Sequence, residues 1–136
     1  MWAEHMVSNT SFRRPAGTDD PRLVSFDLRL NWSRSIPMSC VEEIALKVDG
    51  EPVGQAEIRL AQGGEDLPLA GWRTRDDIWW PVLEPSTVTA SAERPLSAGT
   101  HQIEIELRVR VPAFPRGSDG VWPTRFNRVT VPVELA

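Results

Sequence analysis

The feature that most constrains this chain is a run of strict alternation toward its C-terminal end. Ile103, Ile105, Leu107, Val109 and Val111 alternate with Glu104, Glu106, Arg108 and Arg110. A period of two puts every apolar side chain on one face of an extended strand and every charge on the other. A helix, with about 3.6 residues per turn, cannot separate them in that way. The outward series, two acids then two arginines, reads as a solvated sheet face whose charges find ion-pair partners on neighbouring strands. Each such pair contributes about 0.2–1 kcal/mol.

The same signal recurs along the chain. Val24, Phe26, Leu28, Leu30 and Trp32 alternate with Ser25, Asp27, Arg29 and Asn31, which predicts a half-buried strand over 24–32. Ile44, Leu46 and Val48 share a face and run into Asp49-Gly50, a pair suited to a two-residue hairpin turn with positive φ. A short return strand through Val53 follows, and Pro52 confines it to an edge or an irregular start. Ile58 to Leu60 and Val88, Ala90 and Ala92 are weaker strands, and AQGGEDLPLAG at 61–71 reads as a loop. Val129, Val131, Val133 and Leu135 point inward along the last strand, where Pro132 argues for an edge because it cannot donate to the ladder. Cys40 to Leu46 fits a short helix or a strand lead-in equally well. With 9 Gly and 12 Pro punctuating these runs, the fold class is all-β: one antiparallel β-sandwich domain of about 7–9 strands, preceded by an extended segment over residues 1–20. The length of 136 residues is enough to bury a core without staples.

Several function classes are excluded or disfavoured. A net charge of -4 has the wrong sign for neutralising phosphates, so nucleic acid is not an expected partner. One cysteine, Cys40, permits no internal disulfide. The N-terminal residues carry no basic stretch leading into an apolar core. The longest apolar run, Ile78 to Leu83, falls far short of the ~20 residues of a membrane span, so no membrane and a cytoplasmic location are expected. His5 and His101 lie in no metal-ligand spacing, and His101, just after a Gly-Thr turn, reads as a residue making a local hydrogen bond. Cys40 has no basic neighbour to depress its pKa and reads as a buried thiol. No serine lies in a nucleophile-elbow pattern. Asp76-Asp77, Glu42-Glu43 and Glu65-Asp66 are adjacent acids, which point to opposite faces of a strand or lie solvated in loops. Gly63-Gly64 lacks the spacing of a phosphate loop. The residues alone therefore name no catalytic and no metal-binding side chain.

Tryptophan is the unusual feature: Trp2, Trp32, Trp72, Trp79, Trp80 and Trp122 are six aromatics in a chain without tyrosine. Trp79 and Trp80 are adjacent, so in an extended segment they face opposite ways and one turns outward, toward loop cover, a sugar ring or a partner protein. Together with Trp72, Arg73 and Arg75 they form a candidate interface, because Trp and Arg are enriched in interface hot spots. Trp32, at the end of an alternating run, reads as core packing.

Three stretches carry a family resemblance: LRLNWSRSIPMSCVEEIALKVDGEPV at 28–53, DDIWWPV at 76–82 and LSAGTHQIEIELRVRVPAF at 96–114. In these the chain resembles the small beta subunit of bacterial C-glycoside deglycosidases. It departs from the family pattern at Asn31-Trp32, where paired tyrosines are usual, and at Ala113-Phe114. The resemblance implies a non-catalytic sandwich subunit, without a cofactor of its own, that supports a larger alpha subunit in a hetero-oligomer of alpha/beta pairs. It implies that the alpha subunit is a (β/α) barrel carrying a divalent metal, commonly manganese, and the acid and base groups. Such pairs cleave the C–C bond of 3-oxo C-glycosides: the ketone acidifies the C2 proton, and a base can then form an enolate that expels the aglycone. On this reading the partner interface or active-site mouth draws on Arg34, Ile36, Pro37 and Met38 and on Trp72, Arg73, Arg75, Trp79 and Trp80. The alternative is a stand-alone carbohydrate-binding sandwich whose outward tryptophans stack on sugar rings.

Overall fold

The computed structural model describes residues 5–111, 120 and 123–136. Among them the strands are, in chain order, β1 (Leu23–Leu28), β2 (Ile36–Pro37), β3 (Val41–Val48), β4 (Glu51–Pro52), β5 (Ile58–Gln62), β6 (Glu65–Pro68), β7 (Trp79–Trp80), β8 (Ser86–Ser91), β9 (Gly99–Arg110) and β10 (Thr124–Leu135). One sheet has the order β1-β8-β5-β6 and the other β10-β9-β3-β4, while β2 and β7 form a separate ribbon. All pairings are antiparallel.

The two four-stranded sheets share one buried cluster. Phe26, Leu28, Leu60 and Val88 enter it from the first sheet and Ile44, Leu46, Ile105 and Leu107 from the second. Fully burying a side chain of this size contributes about 1.5–3 kcal/mol, so the alternating runs are what drive the sheets together. The outer face of the second sheet carries the expected ion pairs: Lys47 with Glu104, Arg108 with Glu43, Arg110 with Glu42 and Arg128 with Glu106. Half-exposed pairs of this kind add little each. Their effect is to keep that face wet.

Turn chemistry sets the registers. Asp49 (φ 51°) and Gly50 (φ 84°) take the two positive-φ positions between β3 and β4. The 61–71 stretch, expected as a loop, is instead the second such hairpin: Gly63 (φ 61°) and Gly64 (φ 83°) join β5 to β6, with Gln62 opposite Glu65. The glycine pair is the tip of a primed turn. The four-residue β6 is too short for its alternation to be read. Leu69–Trp72 then makes one helical turn that drives Trp72 into the core, where its Nε1 donates to Leu60 O at 2.8 Å. Between Cys40 and Leu46 the chain is strand: a 3-10 turn over Met38–Cys40 leads into β3, with a bulge between Val41 and Glu43.

The first strand is shorter than the alternation over 24–32 predicts. It ends at Leu28, after which Arg29 N donates to Met6 O at 2.8 Å and the chain crosses to the second sheet. Asn31, expected on the solvent side, is fully buried; its Nδ2 donates to Leu107 O at 3.2 Å and to Asn127 Oδ1 at 3.1 Å. The crossing ends the strand, so the alternation no longer sorts inside from outside there. Trp32 is half-buried against the core, with Arg125 Cζ 5.2 Å from its ring.

Both edge prolines sit where a missing N–H does no harm. Pro52 lies in the edge strand β4, and Pro132 in the edge strand β10. Opposite Pro132, Gln102 turns its N–H to Asp49 Oδ1 and its carbonyl to Asp49 N, both away from β10. Gln102 and Pro132 are therefore a non-hydrogen-bonded pair, and the ring nitrogen of Pro132 faces the open edge. Near the N-terminus, bridges Val7 to Leu28 and Arg13 to Ser25 lay the chain along β1, and Phe12 stacks on Phe26 at 4.7 Å.

Candidate functional site

The ribbon brings together the two segments singled out in the sequence. Ile36 lies opposite Trp80 and Pro37 opposite Trp79. Backbone bonds extend the zip in one direction, Met38 N to Ile78 O at 2.9 Å and Ser39 N to Arg75 O at 3.1 Å. In the other direction Val82 N donates to Ser35 Oγ at 2.9 Å.

Alternation then divides the candidates. Trp79 is 53% exposed and Trp80 is fully buried, so one of the pair does turn outward. Of the residues expected to form a partner interface or active-site mouth, Ile36, Met38, Trp72 and Trp80 are buried inside this chain and present almost no side-chain surface outward. They fill the interior behind the ribbon and fix its position. Arg34, Arg73 and Trp79 are exposed, and Pro37 is half-buried. Trp80 Nε1 donates to Glu84 O at 3.0 Å and so holds the loop that follows.

Arg75 also turns inward. Its guanidinium binds both Glu65 oxygens and both Asp77 oxygens and lies 5.7 Å from the Trp72 ring centroid. These bonds hold the Asp77 carboxyl down to about 2 and lower that of Glu65. Next to it, Ser39 Oγ donates to Asp76. Arg75 thus clamps the start of the 75–80 segment onto the β5–β6 hairpin, with four of its five N–H donors engaged.

Leu83, 81% exposed in the loop after β7, was missed by sequence reasoning, although it closes the apolar run Ile78 to Leu83 between two prolines. Arg29 was missed as well. Expected on the outward face of a strand, it reaches this loop with Nη1 on Leu83 O at 3.2 Å. Trp2, Trp122 and Ala113-Phe114 lie outside the described residues.

His101 is buried, with Nδ1 2.7 Å from Asp49 Oδ2 and Nε2 2.7 Å from Ser97 O, which occupies both ring nitrogens. The Asp49 carboxylate and the Ser97 carbonyl both favour the protonated ring and raise its pKa, and His101 lowers that of Asp49 in return. A ring so engaged serves as a fastener rather than a base. Cys40 is a free thiol in the interior. Among the described residues no three His, Cys, Asp or Glu side chains lie together in a way that could hold a metal ion, and no helix is long and apolar enough to cross a membrane.

A family model described as C-glycoside deglycosidase beta subunit matches residues 2–113. The chain belongs to that family. A 3'-dehydrocarminate deglycosidase beta subunit from Microbacterium sp is 35% identical over 91 residues, covering 67% of this chain and 68% of the relative. A C-glycoside deglycosidase beta subunit from Microbacterium trichothecenolyticum is 26% identical over 95 residues, covering 70% and 71%. A third beta subunit, from Arthrobacter globiformis, is 21% identical over 86 residues, 63% of this chain and 66% of its own. The family match takes in the ribbon, its clamp and the whole of β9.

Proposed function

We propose that this chain is the small, non-catalytic subunit of a cytoplasmic C-glycoside-cleaving complex, paired with a larger alpha subunit. The observation that carries the reading is the family match over residues 2–113, which takes in every strand of the sandwich except β10. It is supported by relatives that are themselves beta subunits of deglycosidases. In this reading the alpha subunit is a (β/α) barrel that holds the acid and base groups and a divalent metal, manganese. The described residues of this chain do not fit such an ion, so no step involves them with it.

The substrate is a C-glycoside whose sugar 3-hydroxyl is already a ketone. The ketone acidifies the C2 proton, and a base removes it. The electron pair becomes the C1–C2 double bond, the bond from C1 to the aglycone breaks, and the aglycone leaves with that pair and a proton. No water is consumed, so the reaction is an elimination. A divalent metal in such a site supplies Lewis-acid polarisation of substrate oxygens. The role of this chain is to support the barrel and shape the mouth of its active site.

The test is reconstitution. Co-expressed with the alpha subunit of the same source and supplied with manganese and a 3-oxo C-glucoside, the pair is expected to release aglycone while this chain alone releases none. A lone monomer that binds glycans and ignores the barrel overturns the reading in favour of a carbohydrate-binding module.

A further inference from the structure

The charges of this acidic protein are mostly paired. On the outer sheet faces Arg13, Arg59, Arg108 and Arg128 have carboxylates at 3.2, 3.3, 3.9 and 2.6 Å. Among the described residues the exposed Arg29 and Arg34 have no carboxylate partner, and both lie beside the ribbon: Arg29 bonds the Leu83 carbonyl, and Arg34 precedes the Ser35 that accepts Val82 N. Arg73, also exposed and unpaired, follows the helical turn at the other end.

Exposed apolar bulk is confined in the same way. Among the described residues Trp79, Leu83 and Phe126 are the large hydrophobics left exposed. Phe126 lies under its own cations, with Arg108 Cζ at 4.8 Å and Arg128 Cζ at 5.8 Å from its ring. Trp79 and Leu83 have no such cover and stand on the ribbon and the loop that follows it.

That loop is already held. Ser35 Oγ accepts Val82 N, Trp80 Nε1 reaches Glu84 O, Glu84 N reaches Pro81 O at 3.1 Å, and Arg29 grips Leu83 O. A surface fixed before binding loses less conformational entropy on docking. An apolar centre with Trp at its heart and cationic edges is the anatomy of an interface hot spot. Glu84 is the one exposed carboxylate in the loop and does not outweigh the arginines around it.

We infer that the outer side of the β2–β7 ribbon and its following loop seats the alpha subunit, with Trp79 and Leu83 in an apolar depression and Arg29 and Arg34 facing carboxylates on its rim. This rests on the subunit reading above. The interface is formed by side chains that the fold leaves unpaired, whereas the ion-paired face of β9 and β10 stays in solvent.

The experiment measures the affinity of the full chain for the alpha subunit at low and high salt. The double variant Trp79→Ala/Leu83→Ala is expected to bind at least 30-fold more weakly, while Trp79→Phe keeps most of the affinity. Arg34→Glu is expected to slow association and flatten the salt dependence, since rim charges act on the encounter rate. Phe126→Ala, in β10 on the ion-paired face of the second sheet, is expected to bind within twofold of wild type. A double variant that binds like wild type overturns the inference and leaves the subunit reading intact, as does weakening confined to Phe126→Ala. Failure of the wild-type chain to bind the alpha subunit overturns both.

Discussion

At position 31 a fully buried carboxamide donates to Leu107 O and Asn127 Oδ1, and its own oxygen meets no donor. Removing the amide strands the acceptors it serves, which costs about 1–3 kcal/mol when they stay buried. Asn31→Ala is therefore expected to lower unfolding free energy in urea by that amount. Asn31→Asp is expected to cost more, because it turns an oxygen toward the Leu107, Asn127 and Arg125 oxygens that the amide serves. Equal loss for the two variants contradicts this account. The His101 clasp makes a second prediction, this time about pH. Folding raises the His101 pKa, so its stabilisation is complete below the unfolded value near pH 6.5 and fades as pH climbs through the folded value. Folding lowers the Asp49 pKa, so its share is present above about pH 3.9 and fades as pH falls through the folded value. The stability gap between wild type and His101→Gln is expected to be widest near pH 5–6 and to narrow on the alkaline side, as thermal melts across pH will show.

Among the elements, the second hairpin is the most exposed to a single methyl group. A Cβ at Gly63 would meet Ile78 Cγ2 at 2.9 Å, whereas at Gly64 it would meet nothing, and both positions have positive φ. Gly64→Ala carries only the backbone cost, about 1–2 kcal/mol. Gly63→Ala adds a clash with the residue that leads into the ribbon, and denaturation curves are expected to rank it as the costlier. The sequence already showed most of this architecture, because β3, β9 and β10 bury one face and leave the other wet, which writes a period of two into the chain. It also showed that one of Trp79 and Trp80 turns outward. It did not show which, since that depends on Ile36 pairing with Trp80 across a distant segment. Asn31 was misread for a related reason: a polar side chain looks solvent-facing until its partners are known, and Leu107 and Asn127 lie far off in sequence. β6 was hidden by its length and by a glycine pair that serves loops and hairpins alike.

For the whole molecule, the division of labour proposed above separates folding from metal. Chelator is expected to leave the melting temperature of this chain alone unchanged, while the reconstituted complex loses aglycone release and regains it with manganese. A chelator-dependent melt of the isolated chain would place an ion within it. The ribbon that joins the two halves of this proposal also has an optical consequence. Trp79 and Trp80 are covalent neighbours, one bathed in water and one sealed in the interior. The first indole therefore emits at longer wavelength and is open to a dissolved quencher, and the second is shielded from it. The difference spectrum between wild type and Trp79→Phe isolates the outer indole, so the protein carries its own fluorescent gauge of whether anything has settled on that surface.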